Sequence, residues 1–489
     1  MKWTARFYMP LSVGLSLLVV TLGGGWAAGK AQAQISSFQH VVVIVQENRT
    51  PDNLFHGLCY LPYGTKASCN TNPSASQYNI QTENWLDETS STGTTPPTAV
   101  ALDNDYDPDH SHAAFVLMCD KSTTGGCRMD GAAEEACGGT CPARAPFHYV
   151  DNPKGILDPY FNLATQYGFA NYMFQTNQGP SFPAHQFLFG GTSAPSAPDD
   201  AAGTFVADNV SPETSTTVAG CIALETTLVK LITPRGDKEK IYPCLEHQTM
   251  ADLLTGIGVT WKYYSPSAGS IWTAPNAIEH LCVPSAPYGG ECTGSDWVNN
   301  VVLHPPQILT DISSCNLAGV SWVVPDGRNS DHAGSNAGGG PSWVASIVNA
   351  IGNNAKCDDN EVYWNNTAIL VVWDDWGGWY DHEPPTFLPD PEGDYQYGFR
   401  VPLMVVSAYT PAGYINNRRL DFGSILRFIE KNYGITEGSL DFADARAEYD
   451  LSEFFNLSLV PRVFGTISSK RDAASFINDH SPATDPDDD

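Results

Sequence analysis

Two short acidic segments of the sequence contain the residue types that bind metal ions. One is Glu47-Asn48, just after the β-branched run 40–45, and the other is Asp374-Asp375, just after a second apolar run at 367–373. Adjacent carboxylates repel one another unless a cation neutralises them, and carboxylate and amide oxygens suit hard divalent cations. Taken with the histidines that follow similar runs, these segments predict a divalent metal site.

Further polar and aromatic residues follow the same kind of run. The residues after the acidic pair Asp374-Asp375 include Asp381-His382. A separate apolar run at 320–324 is followed by residues 326–332, which include Asp331-His332 at their end. The carboxyl ends of parallel strands meet at one edge of a sheet, where ligands bind. The residues expected to line a substrate there are Asp331, Trp376, Trp379, Asp381 and His382. The two tryptophans could form a cage for a choline group or simply pack in the core.

Two other segments could contribute reactive groups. Ser181 lies in a rigid turn between Pro180 and Pro183, and it could act as a nucleophile if a metal lowered the pKa of its hydroxyl. The turn is not the GxSxG elbow of the α/β-hydrolases, because Pro183 stands where the last glycine would be. The segment DPDHSH at 107–112 packs two acids and two histidines into six residues. A functional site and a polar loop with a helix cap are equally consistent with it.

The elements that must position these residues are strands and helices in alternation. Runs at 40–45, 320–324, 367–373 and 401–407 are typical of strands buried on both faces. Helical periodicity appears at 341–351 and 422–433. This alternation predicts an α/β fold with a mostly parallel sheet. Polar stretches at 61–105 and 194–245 have little periodicity and are interpreted as loop insertions.

The two ends of the chain have distinctive compositions. Residues 1–33 have a positively charged start, an apolar run and an Ala-Gln-Ala cleavage pattern, which together predict a secretory signal peptide rather than an anchor. Residues 481–489 form an acidic tail. No later stretch is long and apolar enough to span a bilayer. We therefore expect one catalytic domain at 34–480, secreted or periplasmic, with no stable membrane anchor.

Charge and cysteine content restrict the possible partners and compartment. The 489 residues include 25 Lys and Arg against 54 Asp and Glu, so the formal charge is −29. This excess disfavours nucleic-acid partners. Twelve cysteines suit an exported protein with disulfide bonds, and the close pairs 59/69, 137/141 and 282/292 indicate local bridges. Spacing alone does not give the pairing, and a zinc site at Cys137 and Cys141 is the disfavoured alternative.

Several segments together resemble a known family. They are VVVIVQENRTPDNLFHG (41–57), DPDHSH (107–112), MDG (129–131), the stretch 157–195 around NQGPSFP, DGRNSDH (326–332), WNNTAILVVWDDWGGWYDHEPP (364–385), YGFRVPLMVVSAYT (397–410) and FGSILRFIEKNYG (422–434). In these the chain resembles the bacterial phosphoesterase family of phospholipases C and acid phosphatases, within the alkaline phosphatase superfamily. The resemblance implies a three-layer α/β/α core.

The resemblance also implies roles for individual residues. Ser181 matches the nucleophile, a Thr or Ser after Gly-Pro, and would form a phosphoserine. Histidines of the family surround the phosphoryl group, and His332 would protonate the leaving oxygen. The implied catalytic residues are Ser181, His332, His110, His112 and Asn48, and the implied ligands of the divalent cation are Glu47, Asn48, Asp374 and Asp375. Asp375 stands where the family commonly has Glu, and Trp376 and His185 also depart from its pattern.

The implied function is a secreted metal-dependent phosphoesterase acting on a small phosphate ester or a phospholipid. The motifs do not separate a phospholipase C from an acid phosphatase. Two alternatives remain: a secreted non-catalytic binding protein on the same scaffold, and a sulfatase-like esterase. The sulfatase reaction usually needs a CxPxR-type context, and none surrounds Ser181.

Overall fold

The structure is a computed structural model that describes residues 36–484, apart from 124, 213–216, 235–238, 336, 355–356, 358–361 and 387–396. The signal peptide predicted at 1–33 lies outside the described residues. So do residues 485–489 of the predicted acidic tail.

An eight-stranded sheet forms the centre of the molecule. Its strands are β1 (His40–Gln46), β2 (Gly168–Phe174), β3 (Trp261–Tyr264), β4 (Val301–Val302), β5 (Val320–Val323), β6 (Thr367–Trp373), β7 (Leu403–Val406) and β8 (Tyr414–Asp421). They are arranged in the order β4-β3-β5-β1-β6-β7-β2-β8. Only β7 runs antiparallel to its neighbours, so the prediction of a mostly parallel sheet is confirmed.

Helices form the outer layers. Those of seven or more residues in the described part of the chain are α1 (His112–Cys119), α2 (Asp158–Gln166), α3 (Ser181–Gly190), α4 (Met250–Gly256), α5 (Gln307–Ser313), α6 (Gly340–Gly352) and α7 (Phe422–Asn432). Helix α6 packs against α2 and α5, whereas α3 packs against α4 and α7. The two groups and the sheet make three α/β/α layers. Helices α6 and α7 confirm the two amphipathic patterns.

Shorter elements fill the connections. Short α-helices are Pro51–Leu54, Ala197–Ala201, Glu279–Cys282, Ser295–Asn300, Tyr363–Asn366, Ala443–Arg446 and Ala473–Ile477. Small sheets pair Trp85–Leu86 with Thr94–Thr95, Thr98–Val100 with His148–Val150, and Tyr106–Pro108 with Cys137–Gly139. A three-stranded sheet within 194–245 consists of Phe205–Val206, Val229–Ile232 and Lys240–Ile241.

Six disulfide bonds pair all twelve cysteines. They are Cys59–Cys69, Cys119–Cys127, Cys137–Cys141, Cys221–Cys244, Cys282–Cys292 and Cys315–Cys357. The three local bridges indicated by spacing are confirmed. The zinc alternative at Cys137 and Cys141 is wrong, because their sulfur atoms are bonded to each other.

In the described part of the chain, no helix has both the length and the apolar character needed to cross a membrane.

Candidate active site

The pairing of β1 with β6 brings the two acidic segments together. The strands are parallel neighbours, and Gln46 lies opposite Trp373 in their register. The next residues, Glu47 and Asp374, therefore leave the sheet side by side, and the backbone N–H of Asp374 donates to the carbonyl of Gln46 at 3.0 Å. Both strands are continuous apolar runs buried on both faces, so the sheet edge holds the carboxylates rigidly.

A tight loop contact fixes the residues that follow. Asn48 adopts a left-handed backbone conformation with φ of 63°, and its N–H donates to Asp374 Oδ1 at 3.2 Å. Gly377 has φ of 63°, and a Cβ there would lie 2.4 Å from the carbonyl oxygen of Asn48. Its N–H donates to Asp375 Oδ1 at 2.7 Å. Only glycine fits at this position, and its amide orients the second acid of the pair.

Ser181 is the first residue of α3, in a turn that leaves β2. Its Oγ lies 3.3 Å from Glu47 Oε2 and 3.2 Å from Asp375 Oδ2, and the residue is fully buried. The structure thus brings the predicted nucleophile against both predicted acidic segments, although 134 and 194 residues separate it from these partners.

His185 belongs to the same cluster, and sequence reasoning did not include it among the site residues. Its Nε2 lies 3.1 Å from Glu47 Oε1 and 3.7 Å from Asp374 Oδ2. It stands four residues after Ser181 on α3, and residues at i and i+4 share one face of a helix. That spacing is the signal that could have found it. We call Glu47, Asp374, Asp375, Ser181 and His185 the serine cluster.

Two observations fit a cation in the serine cluster. Asp374 Oδ2 is buried and accepts no hydrogen bond. The amide of Asn48 lies between two kinds of partner: one end is 3.2 Å from Glu47 Oε2 and Asp374 Oδ1, and the other is 3.0 Å from Nε2 of His110 and His332. If the nitrogen faces the carboxylates, it donates to both and the oxygen accepts from the imidazoles. If the nitrogen faces the imidazoles, the amide oxygen points at two carboxylates and a cation between them stabilises the arrangement. The oxygen donor set therefore suits a divalent cation, and Glu47, Asn48, Asp374 and Asp375 would hold it.

The two histidines beside Asn48 have one ring nitrogen each fixed by a carbonyl group. His110 Nδ1 lies 3.1 Å from the carbonyl oxygen of Pro108, and His332 Nδ1 lies 2.6 Å from that of Ala333. A carbonyl only accepts, so both Nδ1 atoms carry a hydrogen and Nε2 is the nitrogen that gains or releases a proton. Both Nε2 atoms face the amide of Asn48, at the rim of the serine cluster.

His112, the alternative to His110, contacts the turn before the nucleophile instead. Its Nδ1 donates to the carbonyl oxygen of Gln178 at 2.7 Å. Gln178 lies three residues before Ser181, so this imidazole holds the turn in place. Between the two candidate histidines, the structure brings His110 rather than His112 against Asn48.

Asp331 is buried next to His332 and is held by three groups. Its Oδ2 accepts hydrogen bonds from Tyr160 at 2.7 Å and Trp373 at 3.1 Å, and its carbonyl accepts from Arg49 Nε at 2.8 Å. Burial raises the pKa of the Asp331 carboxyl to about 6, against the hydrogen bond from Tyr160 and the charge of Arg49. These contacts anchor the backbone that carries His332.

Asp381 and His382 lie in a second group of buried charges. Arg400 donates to Asp381 from Nε at 3.1 Å and from Nη2 at 2.9 Å, and Nη2 also lies 3.4 Å from Asp52 Oδ1. His382 Nδ1 lies 2.7 Å from Asp52 Oδ2. We call Asp52, Asp381, His382 and Arg400 the arginine cluster. Its charges neutralise one another.

The two tryptophans predicted as possible substrate contacts are fully buried. Trp376 packs against Phe115 and Phe399, with ring centroids 6.2 and 5.3 Å away. The guanidinium of Arg49 lies 4.9 Å from the Trp379 ring centroid. Neither indole lines the cavity beside the nucleophile, so these rings form no open cage for a choline group.

A cavity of about 410 Å³ opens beside the nucleophile. Its lining residues are Asp107, Asp109, His110, Ser111, Gly138, Pro180, Asp208, Asn209, Val210, Ser211, Lys230 and Lys240. Pro180 directly precedes Ser181, and six of these residues come from 194–245. We call 194–245 the lid, because its described residues supply half of the wall.

Two of the hydrogen bonds between the lid and the core reach the helices near the site. Asp208 Oδ1 accepts from the backbone N–H of His112 at 2.8 Å, and Asn209 Oδ1 accepts from that of Phe182 at 2.9 Å. These amides lie in the first turns of α1 and α3, where N–H groups lack helical partners. The lid side chains thus satisfy the helix that carries Ser181 and the helix beside His110.

Relatives of the chain are phospholipases. It is 25% identical over 239 residues to a non-hemolytic phospholipase C of Pseudomonas aeruginosa, covering 43% of this chain and 33% of that protein. It is 25% identical over 234 residues to phospholipase C A of Mycobacterium tuberculosis, covering 43% of this chain and 44% of that protein. The matched part thus spans less than half of either relative.

A solved structure of an alkaline phosphatase superfamily protein from Vibrio parahaemolyticus matches 57% of this chain and 60% of that one, with 10% identity and a TM-score of 0.31. This low score adds nothing to the fold described above. The model of the Phosphoesterase family matches residues 38–436, which include β1, the nucleophile turn, both acidic segments and α7 up to its end. The chain therefore belongs to the Phosphoesterase family.

Proposed function

We propose that the chain is a metal-dependent phosphoesterase that hydrolyses phosphate mono- or diesters through a phosphoserine on Ser181. One observation carries the proposal: the buried Ser181 hydroxyl lies 3.2–3.3 Å from two carboxylates, beside the unpartnered Oδ2 of Asp374. Such crowding of acids around a hydroxyl is unfavourable in a purely structural site. Membership of the family and the phospholipase C relatives support the reaction class.

The chain's own residues account for most of the reaction. Ser181 Oγ, at the start of α3, gives its proton to the carboxylate of Asp375 at 3.2 Å and attacks phosphorus in line with the leaving alcohol, and the bond from phosphorus to that oxygen breaks. The positive end of the α3 dipole favours the negative charge of the phosphoryl group. Asn48 donates from its amide nitrogen to an equatorial oxygen as charge develops. A water molecule then hydrolyses the phosphoserine.

Proton transfer to the leaving oxygen is assigned to His332. Its Nδ1 is fixed by the carbonyl of Ala333, so a proton is available only at Nε2. Asp331 orients this imidazole through the backbone that Tyr160, Trp373 and Arg49 hold. A divalent cation, when bound by the four acid and amide ligands, would polarise the phosphoryl oxygens and lower the pKa of the Ser181 hydroxyl.

Export is part of the proposal. Six disulfide bonds suit an oxidising compartment, and the predicted signal peptide would direct the chain there. The net charge of −29 supports small or lipid phosphate esters over nucleic acids as partners.

The direct test is Ser181→Ala, assayed on p-nitrophenyl phosphate and p-nitrophenyl phosphorylcholine. We expect activity on both substrates to fall at least about a thousandfold, because the attacking atom is gone. Ser458→Ala is the matched control, since Ser458 is exposed and bonds only within its own loop. Retention of wild-type activity by Ser181→Ala would exclude the nucleophile assignment.

The same two substrates separate the two possible activities. A preference of the wild-type enzyme for the phosphorylcholine diester indicates a phospholipase C, and a preference for the monoester indicates a phosphatase. Metal content is measured on the purified protein before and after chelation. Turnover that is unaffected by chelators in a protein without bound metal would contradict the metal site.

A further inference from the structure

Two lysines of the lid form a like-charge pair on the wall of the cavity. Lys230 and Lys240 lie on antiparallel strands and are directly opposite each other in their register. Cross-strand neighbours have Cβ atoms about 5 Å apart on the same face of the sheet. Both lysines line the cavity beside Ser181.

This arrangement places Lys240 opposite another cation, although Asp208 lies 3.3 Å from Lys230. Like charges placed directly opposite one another destabilise a sheet, and the protein has only 25 basic residues for 54 acidic ones. An Asp or Glu opposite either lysine would instead have formed a stabilising pair of opposite charges. A bound anion between the two ammonium groups would convert their repulsion into two charge-assisted hydrogen bonds.

Each acid in the cavity wall has a partner other than Lys240, although Asp107 Oδ1 accepts no hydrogen bond. Asp208 accepts from the backbone N–H of His112 and pairs with Lys230 at 3.3 Å. Asp109 Oδ1 accepts from the N–H of Ser111 at 2.9 Å, and Asp107 lies 3.8 Å from the His110 ring. Among the described residues, Lys240 has no carboxylate partner.

The rest of the wall is polar. Apart from the imidazole of His110, the described residues that line the cavity include no aromatic ring, so the wall has no cage for a quaternary ammonium group. A volume of about 410 Å³ suits the polar part of a small ester rather than acyl chains.

We propose that Lys230 and Lys240 bind a second anionic group of the substrate, so that the preferred phosphate esters carry negative charge beyond the reacting phosphate. The inference rests on the proposed function of the Ser181 site and specifies its substrate class. The second anionic group belongs either to a soluble ester or to the head group of a lipid.

The first experiment uses soluble esters. Wild-type kcat/KM is compared for fructose 1,6-bisphosphate and fructose 6-phosphate, and we expect a preference for the bisphosphate. Lys240→Met and Lys230→Met each reduce that preference about tenfold, since a charge-assisted hydrogen bond is lost, and leave the monophosphate within about twofold. Lys470→Met, an exposed lysine outside the cavity, keeps the wild-type ratio.

The second experiment replaces the sugars by short-chain lipids below their micellar concentration. Phosphatidylinositol 4-phosphate carries a second phosphate in its head group, whereas phosphatidylcholine carries a cation. If the lysines bind a lipid head group, the wild type prefers phosphatidylinositol 4-phosphate over phosphatidylcholine, and Lys240→Met loses that preference. Both effects are then larger than those measured with the sugars. Equal losses of kcat/KM on substrates with and without the second anionic group, in both experiments, would overturn the proposal.

A binding measurement separates this inference from the proposed chemistry. Calorimetric titration of Ser181→Ala with pyrophosphate and with orthophosphate needs no turnover. We expect pyrophosphate to bind at least about tenfold more tightly, and the two affinities to converge when Lys240→Met is added. If the enzyme hydrolyses none of the esters but this ratio responds to Lys240, the proposed function fails and the anion site stands. If the ratio does not respond, the anion site fails.

Discussion

Both the serine cluster and the arginine cluster are buried groups of carboxylates with one histidine, yet they differ in their countercharge. In the arginine cluster the guanidinium of Arg400 donates to Asp381, Asp52 and the carbonyl oxygens of Asn79 and Asn171. In the serine cluster the imidazole of His185 faces Glu47 and Asp374.

The difference distinguishes a structural ion pair from a ligand site. Arg400 uses its whole fork of donors, so the arginine cluster is complete without any ligand. Asp374 leaves Oδ2 without a hydrogen bond and has no lysine or arginine partner in the described part of the chain. Acids grouped with a histidine would alone mark both clusters as possible metal sites.

The largest expected effect comes from removing the internal cation. Arg400→Met leaves Asp52 and Asp381 buried without a countercharge, and we expect the free energy of unfolding to fall by about 3–5 kcal/mol. Denaturant unfolding measures it. Arg418→Met, in an exposed pair with Glu453, should cost less than about 1 kcal/mol. A loss at Arg400 as small as that at Arg418 would contradict the structural role.

A matched pair of substitutions should give opposite results in the two clusters. Asp374→Asn removes a buried charge that has no lysine or arginine partner among the described residues, so stability in chelator stays within about 1 kcal/mol of wild type or rises, while activity falls at least about a hundredfold. Asp52→Asn places an amide against the donors of His382 and Arg400 and lowers stability by about 2 kcal/mol or more. If both variants lose the same stability, the distinction between the clusters fails.

Addition of a divalent cation should stabilise the folded protein, and only by binding to the serine cluster. A divalent cation at 100 times its Kd adds about 2.7 kcal/mol to the free energy of unfolding, measured as a rise in Tm of the chelated protein. The rise persists in Arg418→Met and disappears in Asp374→Asn. A rise of equal size in Asp374→Asn would place the cation elsewhere.

The smallest expected effect is a pH dependence in the arginine cluster. Burial lowers the pKa of His382, but the charge of Asp52 and its hydrogen bond outweigh burial and raise the pKa above the ordinary value of 6.5. Its contribution is therefore fully present below pH 6.5 and is lost as the pH rises through the folded-state pKa. Between pH 6.5 and 8.5 the wild type should lose about 1 kcal/mol more than His382→Gln, which urea unfolding measures. Parallel pH profiles would exclude this coupling.

The sheet and the acidic ends of its strands were predictable because their causes are local. Continuous β-branched runs identified β1 and β6, and parallel strands must end at one edge, so Glu47 and Asp374 were expected together. Strands β2 and β8 went unpredicted because their sequences are mixed, and β3 and β4 because they are too short to give a pattern.

Features that depend on three-dimensional packing were beyond the sequence. The position of His185 in the site depends on the residue at which α3 begins. The pairing of Lys230 with Lys240 depends on the strand register, which the sequence of a short hairpin does not specify. Arg400 meets Asp52 across 348 residues. The sequence also did not tell whether Trp376 and Trp379 face a ligand, because aromatic side chains occur equally in cages and cores.

The way in which the lid is attached has a consequence for protein engineering. Asp208 and Asn209 accept hydrogen bonds from the backbone N–H groups of residues 112 and 182, which every amino acid except proline supplies. These two bonds therefore impose no particular side chain on the helix starts, whereas Asp200 of the lid pairs with Arg446 and Phe205 of the lid packs in the main core, so a graft must keep those contacts. A hairpin from another member of the family, grafted with its own Asp-Asn pair, would exchange the cavity wall and leave the reacting groups in place.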